Sequence, residues 1–268
     1  MKIVASALHF AWDDVAGCLR RASTELGLDG VEFSWHRSFQ RGHCTLRDMD
    51  ELTALKGQGA VITAHVWGDL ASADGEGVFR EMAQWLDLAE RVGAAELVCH
   101  GGRATDRLAG MERVRRILER LEPLCSSRGV FLNVENHYPY EYRSCSELLS
   151  DSWEFVSVLS GLGRRIGFCL DTGHANMAGN MKLMIACLGP WLRYVHIADN
   201  GGVDDDHLPY GCGTIDWPGF WDSLRKVGFD GTVCMEFPID ADCGMAALKK
   251  CRMDAMRYAA GLPQSSLV

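Results

Sequence analysis

One short segment combines two residues that could do chemistry. Residues 169–177 read CLDTGHANM, so Asp171 and His174 stand three positions apart after an apolar run. The run is typical of a buried strand, and the polar and glycine residues after it are typical of a chain leaving a sheet. Other apolar runs end in the same way, in His65, His100, Glu135, His196 with Asp199, and Glu236. Any one of these is commonly a turn or solvated residue, so it is the joint pattern that indicates a site.

Two glutamates follow strongly apolar runs, Glu135 in FLNVENH and Glu236 in VCMEFP. A carboxylate in such surroundings is costly unless it is paired or coordinated, and two carboxylates on neighbouring strands also repel each other. A divalent cation removes both difficulties. Together with Asp171 and His196, the glutamates offer carboxylate oxygens and one imidazole nitrogen, a ligand set that suits Mn²⁺, Co²⁺, Mg²⁺ or Zn²⁺. We therefore predict one divalent metal ion bound by Glu135, Asp171, His196 and Glu236.

Alternating strands and helices would position these residues. Eight apolar or β-branched runs recur along the chain: KIVASAL, DGVEFSW, AVITAHVW, AELVCHGG, VFLNVENH, RIGFCLDTGH, RYVHIADN and GTVCMEFP. Segments with helical periodicity lie between them. In residues 77–93 one face carries Val78, Met82, Leu86 and Ala89 and Gly93 supplies a stop, and residues 112–125 repeat the pattern through Val114, Ile117, Leu118 and Leu121. This alternation predicts a parallel sheet, since parallel strands need crossover connections.

Eight such units in a chain of 268 residues fit a single (β/α)8 TIM barrel covering residues 1–268. The carboxyl ends of barrel strands meet on one face, which would bring the strand-end residues together. The alternative is an open doubly wound sheet. A dinucleotide-binding sheet of that kind would carry a GxGxxG motif after its first strand, and the sequence has none there. No linker rich in Pro, Ser or Gly divides the chain, which favours one domain.

Composition disfavours several classes of partner. The formal charge is −9, from 36 acidic and 27 basic residues, and no Lys/Arg run would track a phosphate backbone, so we expect no nucleic-acid partner. The amino-terminal segment does not resemble a signal peptide, and no apolar stretch reaches the about 18 residues of a membrane span. We expect a soluble, cytoplasmic protein. Its 11 cysteines include no CxxC pair and are expected to be reduced thiols that pack as small hydrophobes, Cys99, Cys169 and Cys234 among them.

Several motifs together resemble the xylose-isomerase-like barrel superfamily of sugar or sugar-phosphate isomerases and epimerases, which has an AP-endonuclease branch. They are DGVEF, VENH, DTGH, VHIAD, HLPYGCGTIDW and MEF, and they span nearly the whole chain. The resemblance implies that Glu135, Asp171, His196 and Glu236 are the metal ligands. It also implies that Glu135 and Glu236 act as base and acid on opposite faces of a substrate, through a metal-chelated enediolate. His174 would lie beside the metal or contact the substrate.

The resemblance implies a polyol or keto-sugar substrate, such as a sugar, a sugar phosphate, an inosose or a keto acid. Strand-end loops offer possible substrate contacts at His9, Trp12, Glu32, Trp35, Trp67, Tyr138, Tyr140 and Arg143. The tryptophans are equally well explained as packing residues, and Arg143 as a surface residue. We expect His65, His100 and His207 to hydrogen-bond substrate hydroxyls or one another, with His100 and His174 also needed for catalysis.

The sequence is also compatible with other functions. An AP-endonuclease-like phosphodiesterase is one, because His65, His100, His174, Asp205 and His207 match further ligand positions of that branch. The acidic charge and the absence of basic loops stand against it. A metal-dependent dehydratase on the same scaffold and a barrel retained for binding are two others, although both glutamates needed for catalysis are present. The sequence fixes neither the substrate nor the oligomeric state, and a homo-oligomer is compatible with it.

Overall fold

Eight parallel strands close into a barrel. The computed structural model describes residues 1–9, 15–34, 46–66, 68–239 and 243–262. The strands are β1 (Lys2–Ser6), β2 (Gly30–Ser34), β3 (Val61–Val66), β4 (Glu96–His100), β5 (Phe131–Glu135), β6 (Ile166–Asp171), β7 (Leu192–Ile197) and β8 (Thr232–Met235). Each strand pairs with the next one along the chain, and β1 also pairs with β8 through Lys2 and Thr232. The eight predicted strands and the barrel are confirmed, and the open doubly wound sheet is excluded.

Helices surround the barrel. They are α1 (Val15–Arg20), α2 (Leu46–Gly57), α3 (Gly75–Val92), α4 (Arg107–Arg128), α5 (Ser152–Leu159), α6 (Thr172–Met177), α7 (Met181–Leu188), α8 (Trp217–Val227) and α9 (Gly244–Ala259). A π-helical turn, Arg21–Glu25, continues α1, and a short 3₁₀ helix, Ala7–His9, follows β1. No helix within the described residues combines the length and the apolar character that a membrane crossing requires.

Local sequence explains where the long helices begin and end. The side chain of Asp74 accepts a hydrogen bond from the backbone N–H of Gly77 at the start of α3, and Gly93 ends that helix with a φ of 71°. A left-handed residue at this position is most easily a glycine, which has no Cβ. The predicted apolar faces of α3 and α4 are confirmed, since all eight of their named residues are buried.

The apolar part of the barrel interior is small and follows the two-residue period of the strands. Five buried side chains form its inner cluster: Val4, Val98, Cys169, Tyr194 and Cys234. The main core lies outside, between the strands and the helices. Because alternate residues face the same side of a strand, the residues two positions further on also face inward, at the carboxyl mouth. These are Ser6, His100, Asp171, His196 and Glu236. Cys99 packs outside, and Cys99, Cys169 and Cys234 are all buried, as predicted.

A small antiparallel sheet stands beside the mouth. Its strands are Arg103–Ala104, Glu141–Tyr142 and Cys145–Glu147, and Arg143 and Ser144 make the tight turn with φ of 51° and 59°. Positive φ values are uncommon for residues other than glycine. The sequence did not indicate this sheet, which brings the segment after β5 over the end of β4.

Candidate active site

Strand register places the predicted site residues side by side. His100 on β4 is paired with Glu135 on β5, and Asp171 on β6 is paired with His196 on β7. On β8, Cys234 is paired with His196, which sets Glu236 two residues further along the mouth. Residues far apart in sequence thus share one rim, as the barrel prediction required.

Four buried side chains converge at the centre of this rim. One donor atom from each of Glu135, Asp171, His196 and Glu236 lies within 4.8 Å of the others. Nδ1 of His196 lies 3.2 Å from Oε1 of Glu135 and 3.2 Å from Oε2 of Glu236. None of the four side chains is more than 6% exposed. Three carboxylates this close together and shielded from water need a positive charge between them.

Three polar atoms of this cluster make no well-aligned hydrogen bond, although nitrogen or oxygen atoms of neighbouring residues lie within 3.3 Å of two of them. The three atoms are Oε2 of Glu135, Oδ2 of Asp171 and Nδ1 of His196, all buried. Buried polar atoms nearly always find a partner, so three in one cluster call for an explanation. All three are atoms that coordinate divalent cations, and carboxylate oxygens with an imidazole nitrogen suit Mn²⁺, Co²⁺ or Zn²⁺. The residues present therefore fit a divalent metal ion.

Neighbouring groups fix the orientation of two of these donors. Nε2 of His196 donates to Oε2 of Glu32 over 2.8 Å, which leaves the lone pair of Nδ1 facing the cluster. The amide of Asn136 holds the backbone of Asp171 from both sides, because its Oδ1 accepts from the N–H at 2.7 Å and its Nδ2 donates to the carbonyl at 3.1 Å. The cluster is thus positioned before any ligand arrives.

His174 links the cluster to the loop after β7. It lies in α6, whose first turn is capped by Asp171, with the His174 N–H donating to Oδ1 at 2.6 Å. Its Nδ1 donates to the carbonyl of Asn136 at 2.9 Å, and its Nε2 lies 3.3 Å from Oδ2 of Asp205. Burial opposes protonation, but Asp171 and Asp205 raise the pKa of His174 to about 10.

Asp205 also approaches a second histidine. Its Oδ1 lies 3.6 Å from Nε2 of His207, and Nδ1 of His207 donates to the carbonyl of Glu236 at 3.0 Å. Burial opposes protonation of His207, yet Asp205 raises the pKa of His207 to about 10. The same two imidazoles outweigh the effect of burial on the carboxyl and hold the pKa of Asp205 below its usual range. This carboxylate therefore bridges two charged rings at one side of the mouth.

His65 and His100 lie on the other side of Glu135. Their Nε2 atoms are 3.0 Å and 3.3 Å from Oε2 of Glu135, and their ring centroids are 4.9 Å apart. Donor atoms of the three residues lie close enough together to form a second potential cation-binding group. Both histidines were predicted to be site residues, and the structure brings both to the cluster.

The two glutamates have different proton affinities. Burial raises the pKa of Glu236 to about 7, and the nearby His196 opposes this rise. For Glu135 the effect of burial is outweighed by His196 and His100, which hold the pKa of its carboxyl well below the usual range. Different environments thus separate two carboxyl groups of one cluster, a common arrangement where one group is to accept a proton and another to donate one.

A cavity of about 560 Å³ opens above the cluster. Its lining includes the predicted residues His65, His100, Glu135, Tyr138, Tyr140, His174, His207 and Glu236. It also includes residues that sequence reasoning missed: Asp69, Glu81, Arg103, His137 and Glu147. Nε of Arg103 lies 2.8 Å from Oε1 of Glu147, across the small antiparallel sheet. The position of Arg103 three residues after His100 was a signal for this site that could have been used.

Several predicted substrate contacts lie elsewhere. Glu32 is fully buried beneath the cluster, where it contacts His196 and does not line the cavity. Arg143 is exposed at the turn of the small sheet, with its guanidinium 4.9 Å from the ring centroid of Tyr142, and it is also absent from the lining. Neither position matches the substrate contact expected of it. Trp12, Trp35, Trp67 and the side chain of His9 lie outside the described residues.

The barrel and its strand-end cluster define a class of protein, and sequence comparison identifies the family within that class. The model of the xylose isomerase-like TIM barrel family matches residues 20–256. The chain therefore belongs to the xylose isomerase-like TIM barrel family, as its motifs predicted.

Named relatives fall into two functional groups. A ketose 3-epimerase of Arthrobacter globiformis is 29% identical over 131 residues, which cover 48% of this chain and 42% of the relative. A probable endonuclease 4 of Symbiobacterium thermophilum is 31% identical over 181 residues, covering 59% of this chain and 62% of the relative. The matched segments span less than two thirds of the length of these curated relatives.

Solved structures with the same fold include sugar epimerases. A D-tagatose 3-epimerase-like protein superposes with a TM-score of 0.78 and 20% identity, over 98% of each chain. The IOLI protein with a bound zinc atom superposes with a TM-score of 0.75 and 15% identity, over the whole of both chains. At these identities the likeness establishes the barrel fold.

Proposed function

We propose that this protein is a divalent-metal-dependent isomerase or epimerase acting on a small polyol or keto-sugar. The observation that carries the proposal is the convergence of three buried metal-ligating atoms that make no well-aligned hydrogen bond, from Glu135, Asp171 and His196, beside the carboxylate of Glu236. Epimerases among both the relatives and the superposed structures support it.

The proposed chemistry is proton transfer at a carbon beside a carbonyl. A bound divalent cation supplies Lewis-acid stabilisation of the negative charge that develops on the carbonyl oxygen. Glu135 and Glu236 are two members of the cluster, and each acts on one face of the substrate. Glu135 is assigned the role of base and Glu236 that of acid on the opposite face.

The remaining cavity residues bind and orient the substrate. The cavity has a volume of about 560 Å³, which accommodates a monosaccharide with several waters. His65, His100 and His207 present ring nitrogens that can bond hydroxyl groups, and Tyr138 and Tyr140 offer aromatic faces for the apolar face of a sugar. Glu32 is assigned a positioning role, because it reaches His196 and not the cavity.

Deuterium incorporation tests the proposal before the natural substrate is known. Ketoses, inososes and small hydroxy-keto acids are incubated with the protein in D₂O, and label is expected at the carbon beside the carbonyl. Glu135→Gln and Glu236→Gln should abolish incorporation, whereas Glu141→Gln, an exposed glutamate of the small sheet, should not. Turnover without label from solvent would contradict proton transfer and remove the roles of both glutamates.

Metal dependence is tested separately by elemental analysis. The purified protein is expected to carry a divalent ion that EDTA removes, with loss of activity. Asp171→Asn and His196→Ala should each lower occupancy strongly, because the first neutralises one of the four donors and the second removes one. Full metal occupancy in both variants would refute the assignment of this ligand set.

A phosphodiesterase is the second candidate. It is favoured by the donor group of His65, His100 and Glu135, by the position of Asp205 between His174 and His207, and by the endonuclease 4 relatives. The net charge of −9 opposes it, because affinity for a nucleic-acid backbone comes largely from basic side chains. A dehydratase would share the first proton abstraction and differ in its product, so product analysis after deuterium exchange distinguishes it.

A further inference from the structure

Two exposed thiols meet at the carboxyl rim of the barrel, outside the proposed active site. Sγ of Cys212 lies 3.3 Å from Sγ of Cys243, although the residues are 31 positions apart in sequence. Cys212 belongs to the segment between β7 and α8, and Cys243 immediately precedes α9. Both side chains are exposed.

Most other described cysteines are in different surroundings. Cys18, Cys99, Cys125, Cys169, Cys234 and Cys251 are buried. Burial raises the pKa of Cys125 to about 12, and it also raises the pKa values of Cys99, Cys169, Cys234 and Cys251. Such thiols are weak nucleophiles and are poorly accessible to oxidants. Cys187 is exposed on α7 and serves as a comparison for accessibility without a neighbouring thiol.

From this geometry we infer that Cys212 and Cys243 are a modification site, a thiol pair that forms a reversible disulfide on exposure to a peroxide. The thiolate of one cysteine attacks a peroxide oxygen, giving a sulfenic acid and one water when the oxidant is hydrogen peroxide. The thiol of the other cysteine then displaces the hydroxyl as a second water and forms the S–S bond. The two thiols lose two electrons and two protons, and the peroxide is reduced.

Cys212 lies in a short segment flanked by glycines. A disulfide requires the sulfur atoms to approach by about 1.2 Å from their present separation of 3.3 Å. Cys212 stands between Gly211, which has a φ of 82°, and Gly213. Asp199 anchors this segment on both sides, through the N–H groups of Gly211 at 3.0 Å and Ile215 at 3.3 Å. The thiol therefore lies at the tip of a short anchored loop.

The cross-link would join two segments that also carry cavity residues. His207 lies five positions before Cys212, and Glu236 lies seven positions before Cys243. These two residues are already connected, since Nδ1 of His207 donates to the carbonyl of Glu236. Oxidation therefore cross-links these two segments at one side of the mouth. The inference is independent of the proposed function, because it concerns sulfur chemistry alone.

The charged groups near Cys212 set the pH dependence of the reaction. Its hydrogen bond with Cys243, partial burial and the carboxylate of Asp199 raise the pKa of Cys212, while Lys250 lowers it. Because the thiolate is the nucleophile, the raised pKa means that oxidation accelerates as the pH rises. We expect pairing to be about 20-fold or more faster at about pH 9 than at about pH 7, because the thiolate fraction of such a cysteine rises by that much.

Peptide mapping of the intact protein tests the inference. The full chain is treated with a small excess of hydrogen peroxide, remaining thiols are blocked, and a non-reducing digest is examined by mass spectrometry. A peptide linking Cys212 to Cys243, lost on treatment with dithiothreitol, is expected. Cys212→Ser and Cys243→Ser should each abolish it, whereas the matched variant Cys187→Ser should retain it. The wild-type map remains decisive if a serine variant does not fold. Sulfinic acids without a linked peptide, or disulfides between chains in place of this one, would overturn the inference.

Discussion

Nε2 of His196 and Oε2 of Glu32 are joined by a 2.8 Å hydrogen bond between the seventh and second strands of the barrel. Both side chains are fully buried. Burial opposes ionisation of the Glu32 carboxyl, yet His196 holds its pKa below the ordinary value. The bond selects the imidazole tautomer that presents a lone pair on Nδ1 to the acidic cluster, as carboxylates behind metal-binding histidines commonly do.

Removing this carboxylate should weaken metal binding without removing a ligand. We expect Glu32→Ala to lower the affinity for the divalent ion by about 10- to 100-fold, because His196 loses the group that orients it. Glu32→Gln should lose less, since its amide oxygen can still accept from Nε2. Competition with a fluorescent chelator measures the affinity directly. Equal affinity in wild type and Glu32→Ala would contradict the positioning role.

The number of bound ions separates the two enzyme candidates. We expect one tightly bound ion per chain, and His100→Ala should retain it while impairing turnover, because His100 lies beside Glu135 but outside the central group of four. Elemental analysis gives the ion count, and a labelled abasic duplex tests for incision at physiological salt. Three ions per chain together with incision would replace the isomerase proposal with the phosphodiesterase.

A buried ion pair near the mouth contributes to stability. Glu154 is fully buried at the start of α5 and is paired with Arg107, and it also accepts from the N–H of Ser150 at 2.8 Å. Arg107→Ala removes the charged hydrogen-bond donor of the buried Glu154 carboxylate. We therefore expect a loss of about 2–3 kcal/mol in the free energy of unfolding. Urea denaturation measures this loss.

The control for this experiment is an exposed ion pair in α4, the helix that contains Arg107. Arg116 contacts Glu112 on the surface of α4, with both side chains more than half exposed. Arg116→Ala should cost about 0.5 kcal/mol or less. If the two arginine variants lost the same stability, the burial of Glu154 would not be the source of the effect.

A glutamate at the amino-terminal end of the barrel should make stability depend on pH. Burial raises the pKa of Glu96, although Thr232 and Asn133 donate to its oxygens at 2.6 Å and 2.9 Å. A carboxyl with a raised pKa contributes stability below its unfolded pKa of about 4.5, and this contribution is lost as the pH rises through the folded value. Wild type should therefore lose stability relative to Glu96→Gln as the pH rises above about 4.5.

Thermal denaturation of both proteins across that range checks the prediction. Oδ1 of Asn133 is buried and makes no hydrogen bond. If the amide group of Asn133 rotates by 180°, this oxygen can accept a hydrogen bond from the new glutamine amide, so the substitution can be accommodated. Glu141→Gln supplies the control for loss of one negative charge at an exposed position. A difference in melting temperature that did not change with pH would contradict the role of burial.

Much of this architecture was predictable because it depends on short-range patterns. Apolar runs identify the strands, and the barrel rule places their carboxyl ends together, so Glu135, Asp171, His196 and Glu236 could be grouped before any coordinates. The two-residue period even places His196 on the same inward face as Tyr194.

Other features depend on contacts between distant segments that no local pattern encodes. Glu32 lies inside its strand between Val31 and Phe33, and only the closed barrel shows that it reaches His196 and not a substrate. The pairing of Arg103 with Glu147 requires the small antiparallel sheet, whose turn uses unfavourable φ values at Arg143 and Ser144. Cys212 and Cys243 gave no signal because their spacing matches no local motif.

The pairing of β1 with β8 has a consequence for synthesis of the chain. A ribosome releases β1 first, but β1 has its second neighbour only after β8 has emerged. Until then the growing protein is an open sheet with two unpaired edges, which are prone to association with other chains. Glu236 follows β8 directly, so the acidic cluster is completed by the same late event. The proposed metal site therefore has all four of its donors only after the barrel closes, which places metal loading at the end of folding.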